Sequence, residues 1–445
     1  MLARLAKWGH KARQSILRVL RWLTPGLGVK RWIVLILLGT TLIGVGVAVL
    51  LLDIYRTAPD SWWLPALSWA SLRFLERPLR AVVFGGLGGL MVVGGVLGLN
   101  RALLAPYLRP GRPVVDTLAG FRKRGRGPRI TVIGGGHGLS TLLRGLKEHT
   151  HNITAIVTVA DDGGSSGRLR SSLGVLPPGD IRNCLAALSN DETLITQLFQ
   201  YRFSSGDNGL EGHSFGNLFI SALSEITGSF EQAVAESGRV LSVYGRVIPA
   251  TLHDVRLVAD LAMPLSDGSL RVRGESQIPE VNGAVQRVWL EPNNPPAYPS
   301  AVNALLNADM IVIGPGSLYT SIIPNLLVPE LAAAVRNSPA LKAYICNVAT
   351  QPGETDGYNC GDHVHALEGH VGKGIFDVVL STADGEGDLP DDADWVLAEE
   401  GLDNEYAVYR APVADKGSPG RHDSNKLAQK LIELYQERTG PLVAN

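Results

Sequence analysis

The chain has 445 residues, with 41 Lys and Arg against 42 Asp and Glu, and 45% of its residues are apolar. This composition excludes a wholly disordered chain and provides enough apolar side chains for a packed core. The net charge is close to zero, but the charges are distributed unevenly along the chain. The first 127 residues hold 19 basic and 4 acidic side chains, and the remainder holds 22 basic and 38 acidic side chains. The acidic remainder disfavours non-specific nucleic-acid binding, so we expect no nucleic-acid partner.

Two long apolar runs lie in the basic part. Residues 33–52 form a run of 20 without charge, and residues 81–99 form a second run of 19. Each run is long enough for a helix to cross a hydrocarbon core of about 30 Å. A signal peptide is disfavoured for the first run, because it starts late, lacks a small-residue cleavage signal and is followed by the second run. The sequence therefore predicts a transmembrane helical hairpin over 33–99.

Lys and Arg set the expected orientation of this hairpin. Eight basic and no acidic side chains precede residue 33, and residues 101–129 carry eight basic side chains and one acidic side chain. The loop 53–80 carries four basic and three acidic side chains. Basic flanks stay in the cytoplasm, so we expect a two-span protein of the cell membrane with both its N-terminus and its C-terminal domain cytoplasmic. Residues 1–32 are expected to be a basic cytoplasmic segment, either a helix on the membrane surface or a disordered tail.

A basic linker over 100–128 is expected to lead into one α/β domain over 129–445. Residues 129–133 predict a strand, 139–148 a helix and 153–159 a second strand, which together make a βαβ unit. Uninterrupted apolar strands are typical of a parallel sheet covered on both faces. Further strands are predicted at 310–313, 343–348 and 376–380, an amphipathic helix at 424–437, and a loop at 384–403.

The segments 255–263, 270–276 and 284–290 have a different pattern, which predicts antiparallel strands in a β-rich insert. The expected fold class is α/β: a Rossmann-like, doubly wound, mostly parallel sheet with this insert, preceded by the transmembrane hairpin.

The first glycine-rich segment, 134–138 (GGGHG), separates the first predicted strand from its helix. Glycines let the backbone approach a phosphate, and the helix N-terminus offers free N–H groups. The spacing is not a clean G-x-G-x-x-G, because Leu139 occupies the last position. A tight strand-to-helix turn without a ligand is the alternative.

The second segment begins with Asp161 and Asp162 after the second strand and continues through a Gly/Ser loop to Arg168. The carboxylates could hold a sugar or Mg²⁺, and the loop N–H groups and Arg168 could hold phosphate oxygens. A solvated loop is the alternative. Because ligands bind at the carboxyl ends of parallel strands, we expect both segments to share one crevice.

Three further polar segments are candidates. Asp180 either contacts a ligand or caps a helix that begins near Arg182. His213 and Asn217 lie where another helix opens, and a neutral His213 could act as a hydrogen-bond partner or base. The turn 314–321 follows a strand and is rich in hydroxyls.

Other site classes are disfavoured. Asp362, His363, His365 and His370 lie on one predicted helix without a firm ligand pattern, so we expect no metal site there. Three cysteines without a C-x-x-C pair make a disulfide framework unlikely and fit a reducing cytoplasm. A Walker A lysine motif and a G-x-S-x-G motif are absent from the sequence. The imperfect glycine fingerprint also disfavours an NAD-dependent oxidoreductase.

The long motifs carry a family resemblance. The chain resembles the gluconeogenesis factor (YvcK) branch of the CofD-like superfamily in GGGHGLSTLLRGLK, ITAIVTVADDGGSSGRLR, PPGDIRNCLAALS, GHSFGNLFISAL, GESQIP, IVIGPGSLYTSIIPNLLVPE, YICNVATQPGETDGY and DHVHAL. The resemblance covers about 129–370, is weaker near 421–427, and its motifs do not extend to the two predicted spans.

This resemblance implies a Rossmann-like fold, binding of a UDP-sugar such as UDP-N-acetylglucosamine, and a role in cell shape and envelope synthesis under gluconeogenic growth. His137 stands where many members have threonine. The implied ligand-binding residues are Gly134, Gly135, Gly136, His137, Gly138, Asp161, Asp162, Gly163, Gly164, Ser165, Arg168, Asp180, Asn183, His213, Asn217, Gly314, Gly316, Ser317 and Tyr319.

The other branch of the superfamily transfers 2-phospho-L-lactate, so a nucleotide-dependent phospho-transferase is the alternative function. Its candidate catalytic residues are Asp161, Asp162, Asp180 and His213, with Mg²⁺ held by the carboxylates. Thr320 and Ser321 resemble a loop that accepts regulatory phosphorylation. Proteins of cell-wall synthesis or its regulation, and a second copy of the chain, are the expected protein partners.

Overall fold

A computed structural model describes residues 127–440 except 190–193, 205–208, 264–267, 282 and 386. It also describes 74–104, 124–125 and short stretches between 38 and 72. The chain divides into two units, Met1–Lys123 and Arg124–Asn445.

The first unit contains the 28-residue helix α1, Arg77–Leu104. Its segment Pro78–Val96 is, by length and composition, apolar enough to cross a membrane. Large apolar side chains such as Leu90 are exposed along it. The second predicted span, 81–99, falls within α1. The first, 33–52, is described only at 38–42, 44–45 and 47–48, which are helical. Residues 1–32 and most of the predicted linker lie outside the described residues.

The second unit is built on two sheets. Its described strands are β1 Ile130–Gly134, β2 Ile153–Val157, β3 Arg246–Pro249, β4 Arg256–Ala262, β5 Ser269–Arg273, β6 Ala284–Glu291, β7 Met310–Ile313, β8 Leu341–Ile345, β9 Val378–Thr382 and β10 Val408–Ala411. Seven form one sheet in the order β10-β9-β8-β7-β1-β2-β3, and three form a second in the order β5-β4-β6. Every pairing in the first sheet is parallel, and both pairings in the second are antiparallel.

Burial explains the parallel sheet. Strands β1, β2, β7 and β9 are buried along their whole length, as continuous apolar strands require when both faces are covered. Val132 of β1 pairs with Ala155 of β2 on one side and Val312 of β7 on the other. The predicted mostly parallel α/β sheet with a β-rich insert is therefore confirmed.

Helices cover this sheet. The described helices of the second unit are α2 Gly136–Leu146, α3 Gly164–Leu173, α4 Gly179–Leu188, α5 Leu194–Gln200, α6 Phe215–Thr227, α7 Phe230–Val240, α8 Pro299–Leu306, α9 Ile323–Leu326, α10 Pro329–Asn337, α11 Cys360–Val371 and α12 Ser424–Thr439. Helix α2 packs against both α4 and α12. A Cβ at Gly145 would overlap the carbonyl oxygen of Ser424, so this glycine lets α12 lie close to α2.

Two local predictions are wrong. The Gly/Ser segment after Asp162 was expected to be a loop but forms α3, whose C-cap Gly174 adopts a left-handed φ of 67°. The strand predicted at 343–348 ends at Ile345. Cys346 and Val348 continue the apolar pattern because they are buried in the loop that follows β8.

Candidate functional site

The parallel sheet has a topological switch point between β1 and β7. From β1 the chain runs outward through β2 and β3, and from β7 it runs outward in the opposite direction through β8, β9 and β10. In such sheets ligands bind in the crevice outside the carboxyl ends of the strands at this point. A cleft of about 540 Å³ lies there, within the range of small-molecule sites.

Segments after four strand ends line this cleft. They follow β1, β2, β7 and β8, and the insert and the segment before α12 complete the wall. Eight of the predicted residues are among the lining: Gly135, Gly136, His137, Gly138, Asp161, Asp180, Gly316 and Ser317. The turn after β1 and the turn after β2 thus share one hollow.

The glycine turn after β1 packs directly on the turn after β7. A Cβ at Gly138 would lie 2.8 Å from the Pro315 carbonyl oxygen and 2.9 Å from Gly316 Cα, so only glycine fits between them. Gly136 adopts a left-handed φ of 63°, which begins α2 at the cleft wall. The Gly136 N–H at the start of α2 donates to a protein carboxylate, and the N–H groups of His137 and Gly138 after it lack partners within the helix and suit an anion.

Asp180 joins α4 to this turn. Its Oδ2 accepts the Gly136 N–H at 2.6 Å, and α4 begins at Gly179 with Pro178 in the cap position. Capping of its own helix, the alternative considered from the sequence, is therefore wrong for Asp180. Its carboxylate instead fixes the entry to α2.

Three carboxyl groups crowd one wall of the cleft. Burial, and secondarily the neighbouring Asp161, raises the pKa of Asp180 to about 6. Burial, followed by the charges of Asp161 and Asp180, raises the pKa of Glu275 to about 8. The pKa of Asp161 is also raised by burial. Glu275 therefore keeps its proton at neutral pH, and the raised pKa values of the other two carboxyl groups favour a cationic or hydroxyl-bearing ligand beside them.

Cationic side chains also line the cleft. Arg144 and Arg421 line it beside His137. The pKa of His137 is lowered by burial and then by the charges of Arg421 and Arg182. Burial lowers the pKa of the lining residue His422 to about 4, so its imidazole is neutral at pH 7.

The turn after β7 is held by polar contacts. Ser317 Oγ accepts from Gln351 Nε2 at 2.8 Å, and both residues line the cleft. Thr320 Oγ1 donates to Glu354 at 3.1 Å, and the carboxylate of Glu354 also accepts backbone N–H groups of Tyr319 and Thr320. Tyr319 itself lines a different groove, where its hydroxyl meets that of Tyr358 at 2.8 Å.

Four predicted residues form a separate hydrogen-bond network, in which Ser165, His213 and Asn217 are buried and Arg168 is exposed. His213 Nε2 accepts from Arg168 Nε at 3.2 Å, so its Nδ1 carries the proton and donates to Ser165 Oγ at 3.0 Å. Asn217 Nδ2 donates to the same hydroxyl at 3.1 Å. This network ties α3 to α6 and lies outside the cleft lining, so His213 is not placed as a base toward the cleft.

The remaining predicted residues support the walls. Asp162 Oδ1 accepts the Ser276 N–H at 3.0 Å and so positions the segment that carries Glu275. Asn183 Oδ1 accepts from Arg182 at 2.8 Å. The Gly134 carbonyl oxygen accepts from Asn325 Nδ2 at 3.0 Å. Gly163 caps α3, Gly164 is its first residue and Gly314 follows β7, and the three are not among the lining residues.

The histidines of α11 do not gather around a common point. His363 Nδ1 contacts the Asn359 carbonyl oxygen, and His370 contacts the Ala366 carbonyl oxygen and the Val288 N–H. Within the described part of the chain, no group of three or more His, Cys, Asp or Glu side chains is arranged to hold a metal ion.

Sequence reasoning missed several lining residues. They are Ser140, Thr141, Arg144, Thr158, Glu275, Asn347, Val348, Ala349, Thr350, Gln351, Gly420, Arg421 and His422, whereas the lining residues Pro315, Thr320 and Ser321 belong to the turn 314–321 that the sequence had marked as a candidate. Glu275 lies in the motif GESQIP, and Arg421 lies in the weaker motif near 421–427. These motifs were signals, but nothing in the sequence shows that they fold onto the glycine turns.

Together these features define a class: Rossmann-like α/β proteins with a ligand-sized cleft at the sheet's switch point, which is lined by both arginines and carboxyl groups. The family model described as 2-phospho-L-lactate transferase CofD matches residues 130–439. The chain belongs to the CofD family.

Its relatives include proteins named gluconeogenesis factor. A putative gluconeogenesis factor of Nostoc sp. is 53% identical over 369 residues, which cover 81% of this chain and 78% of that protein. The gluconeogenesis factor of Bacillus subtilis is 47% identical over 325 residues, which cover 70% of this chain and 100% of that protein. A putative gluconeogenesis factor of Deinococcus radiodurans is 42% identical over 433 residues, which cover 94% of this chain and 90% of that protein.

A solved structure agrees with the fold. The crystal structure of a UPF0052-family protein from Bacillus halodurans superposes with a TM-score of 0.64 at 43% identity, covering 69% of this chain and 99% of that one.

Proposed function

We propose that the cleft binds a UDP-sugar of the UDP-N-acetylglucosamine type, and that the chain is a membrane-anchored regulator of cell shape and envelope synthesis under gluconeogenic growth. The observation that carries this proposal is the convergence of four strand ends on one cleft with a helix N-terminus and two arginines. The names of the gluconeogenesis-factor relatives support the physiological setting.

Each part of such a ligand has a chemical counterpart in the cleft. The first turn of α2, with Arg144 and Arg421, suits a diphosphate. Asp161, Asp180 and Glu275 suit sugar hydroxyls, which donate to carboxylates. The side-chain amides of Asn347 and Gln351 can pair with the carbonyl and N–H edge of a uracil.

Calorimetry on the purified full chain with UDP-N-acetylglucosamine, UDP and uridine tests this assignment. We expect saturable binding of the nucleotide sugar without turnover, and loss of binding in Gly138→Ala because the two turns that form the cleft no longer fit together. Absence of heat with every uridine diphospho-sugar would rule the proposal out.

The membrane anchor is part of the proposal. The helix α1 contains an apolar segment of sufficient length, and the basic residues on either side of the predicted hairpin favour a cytoplasmic domain. The similarity to the Deinococcus radiodurans protein covers 94% of this chain, so it reaches into the N-terminal part. The Bacillus subtilis protein instead matches 70% of this chain over its own full length.

A nucleotide-dependent transferase of the 2-phospho-L-lactate type is the second candidate. The description of the family model and the carboxyl cluster of Asp161, Asp180 and Glu275 favour it. One or two of these carboxylates, with ligand phosphates, would hold Mg²⁺, which commonly keeps few protein ligands. Mg²⁺-dependent release of nucleotide when a phosphorylated acceptor is supplied would establish this activity, and its absence across acceptors would leave the binding role alone.

A further inference from the structure

Arg182 is a buried arginine without a charged hydrogen-bond partner. It is 5% exposed, and its Nε and one terminal nitrogen have no hydrogen-bond partner. The other terminal nitrogen donates only to the neutral amide of Asn183, at 2.8 Å. A buried guanidinium is costly unless its donors are satisfied, so the part of the chain that the structure describes leaves two of its nitrogens without a partner.

The nearby carboxylates do not supply that partner. Asp180 accepts the Gly136 N–H, and Asp161 accepts the Gly163 N–H at 2.9 Å. Arg202 adds a second positive charge within electrostatic reach. Burial, followed by the charge of Arg202, lowers the pKa of Arg182 to about 10. The charges of Asp180 and Asp161 offset part of this repulsion, but among the described residues neither carboxylate is hydrogen-bonded to the guanidinium of Arg182.

Arg182 and Arg202 are not among the residues that line the cleft, but both lie within electrostatic reach of the lining residue His137. Arg182 is on the first turn of α4, two residues after the lining residue Asp180. The stem of Arg182 is fixed, because a Cβ at Gly216 would lie 2.8 Å from its Cγ and Cδ. The guanidinium is therefore positioned by packing rather than by an ion pair.

We propose that Arg182, with Arg202, forms an inner anion subsite beside His137 that takes the second phosphate of a nucleoside diphosphate. The inference rests on the proposed nucleotide-sugar site and narrows it, since the cleft then selects diphosphate esters over monophosphates. A phosphate oxygen accepts from both free nitrogens of Arg182, whose planar fork suits this geometry.

Binding of uridine, UMP, UDP and UDP-N-acetylglucosamine to the full chain in detergent tests the subsite. We expect the Arg182→Met variant to lose about 30-fold in affinity for UDP and the UDP-sugar, the usual size of a charge-assisted pair, and little for UMP. Arg182→Lys should restore part of this loss, since it keeps the charge but not the fork.

Thermal unfolding without ligand separates this role from a structural one. Replacing an unpaired buried charge by an apolar side chain of similar length should leave the melting temperature unchanged or higher. Arg170→Met is the matched control, because Arg170 is equally buried but pairs with Asp254 at 2.5 Å and with the Val255 carbonyl oxygen at 2.6 Å. We expect this control to lower the melting temperature and to leave the ratio of UDP to UMP affinity unchanged.

Two results would overturn the proposed subsite. The first is an unchanged ratio of UDP to UMP affinity in Arg182→Met. The second is a lower melting temperature of that variant without ligand, which is expected if the only role of Arg182 is to neutralise the charges of Asp180 and Asp161. If the wild-type chain binds no uridine compound, the nucleotide-sugar proposal fails. Inorganic pyrophosphate then tests the subsite by itself. Thermal protection of the wild type but not of Arg182→Met supports it, and equal protection of both excludes it.

Discussion

Glu275 shows how one side chain couples the cleft to pH. Burial raises its pKa to about 8, whereas the unfolded chain has a value near 4.5. Between these two values the unfolded chain has released the proton that the folded chain retains, so stability falls as the pH rises through this window. Below about pH 4 both states are protonated and the effect vanishes.

Glu275→Gln should therefore stabilise the protein at pH 8 to 9, by on the order of 2 kcal/mol, and change little at pH 4. Urea unfolding at both pH values measures this difference. Glu148→Gln is the control, since Glu148 is exposed on the surface and pairs only with Arg124. A stabilisation of the same size at both pH values would show that the pKa of Glu275 is not raised.

Gly138 shows how one missing Cβ joins two turns. An added methyl group would meet backbone atoms of Pro315 and Gly316, which cannot rotate away as a side chain can. We expect Gly138→Ala to cost about 1–3 kcal/mol of unfolding free energy, as overpacking does. Gly369→Ala is the matched control, because a Cβ there meets nothing within 4 Å in the exposed face of α11, so it should be neutral or slightly stabilising. Equal effects of the two variants in urea unfolding would contradict this account.

At the scale of the elements, the turn Leu318–Ile322 depends on a distant carboxylate. Glu354 accepts the Thr320 hydroxyl and the N–H groups of Tyr319 and Thr320, at the start of a helical segment that leads into α9. Glu354 is 7% exposed, so removing it leaves these donors buried without a partner. We expect Glu354→Ala to cost about 2–4 kcal/mol and Glu354→Gln, which keeps one acceptor, clearly less. Denaturation of both variants at pH 6 measures the difference, and equal losses would show that the single acceptor kept by Gln does not replace the carboxyl group.

Elements with uninterrupted apolar sequences were predictable. The strand predicted at 310–313 agrees with Met310–Ile313, because both of its faces are buried and burial requires apolar residues throughout. Helix α3 was not predictable, since GSSGRLRSSL combines residues of low helix propensity. Its stability comes from tertiary contacts such as Ser165 with His213 and Asn217, and the sequence order does not reveal these contacts.

At the scale of the whole molecule, the convergence of the cleft was predictable and its composition was not. Carboxyl ends of parallel strands meet at one edge, so the turns after β1, β2 and β7 had to lie together. Glu275 reaches the cleft from the antiparallel insert, and Arg421 from the segment before α12. Their positions depend on how the insert and the last helix pack on the sheet, which local sequence patterns do not encode.

The division of charge makes the membrane proposal testable on the intact chain. Residues after 127 carry 38 acidic and 22 basic side chains, so an anionic membrane surface would repel this domain, and under the proposal the hairpin alone holds it there. We expect the chain to resist extraction from membranes by alkaline carbonate. In intact cells a membrane-impermeant maleimide should label Ser61→Cys in the outer loop, and Ser15→Cys and Ser418→Cys only after lysis. The three native cysteines are buried, so their background is small. Labelling of Ser418→Cys in intact cells, or release by carbonate, would exclude a cytoplasmic domain held by two spans.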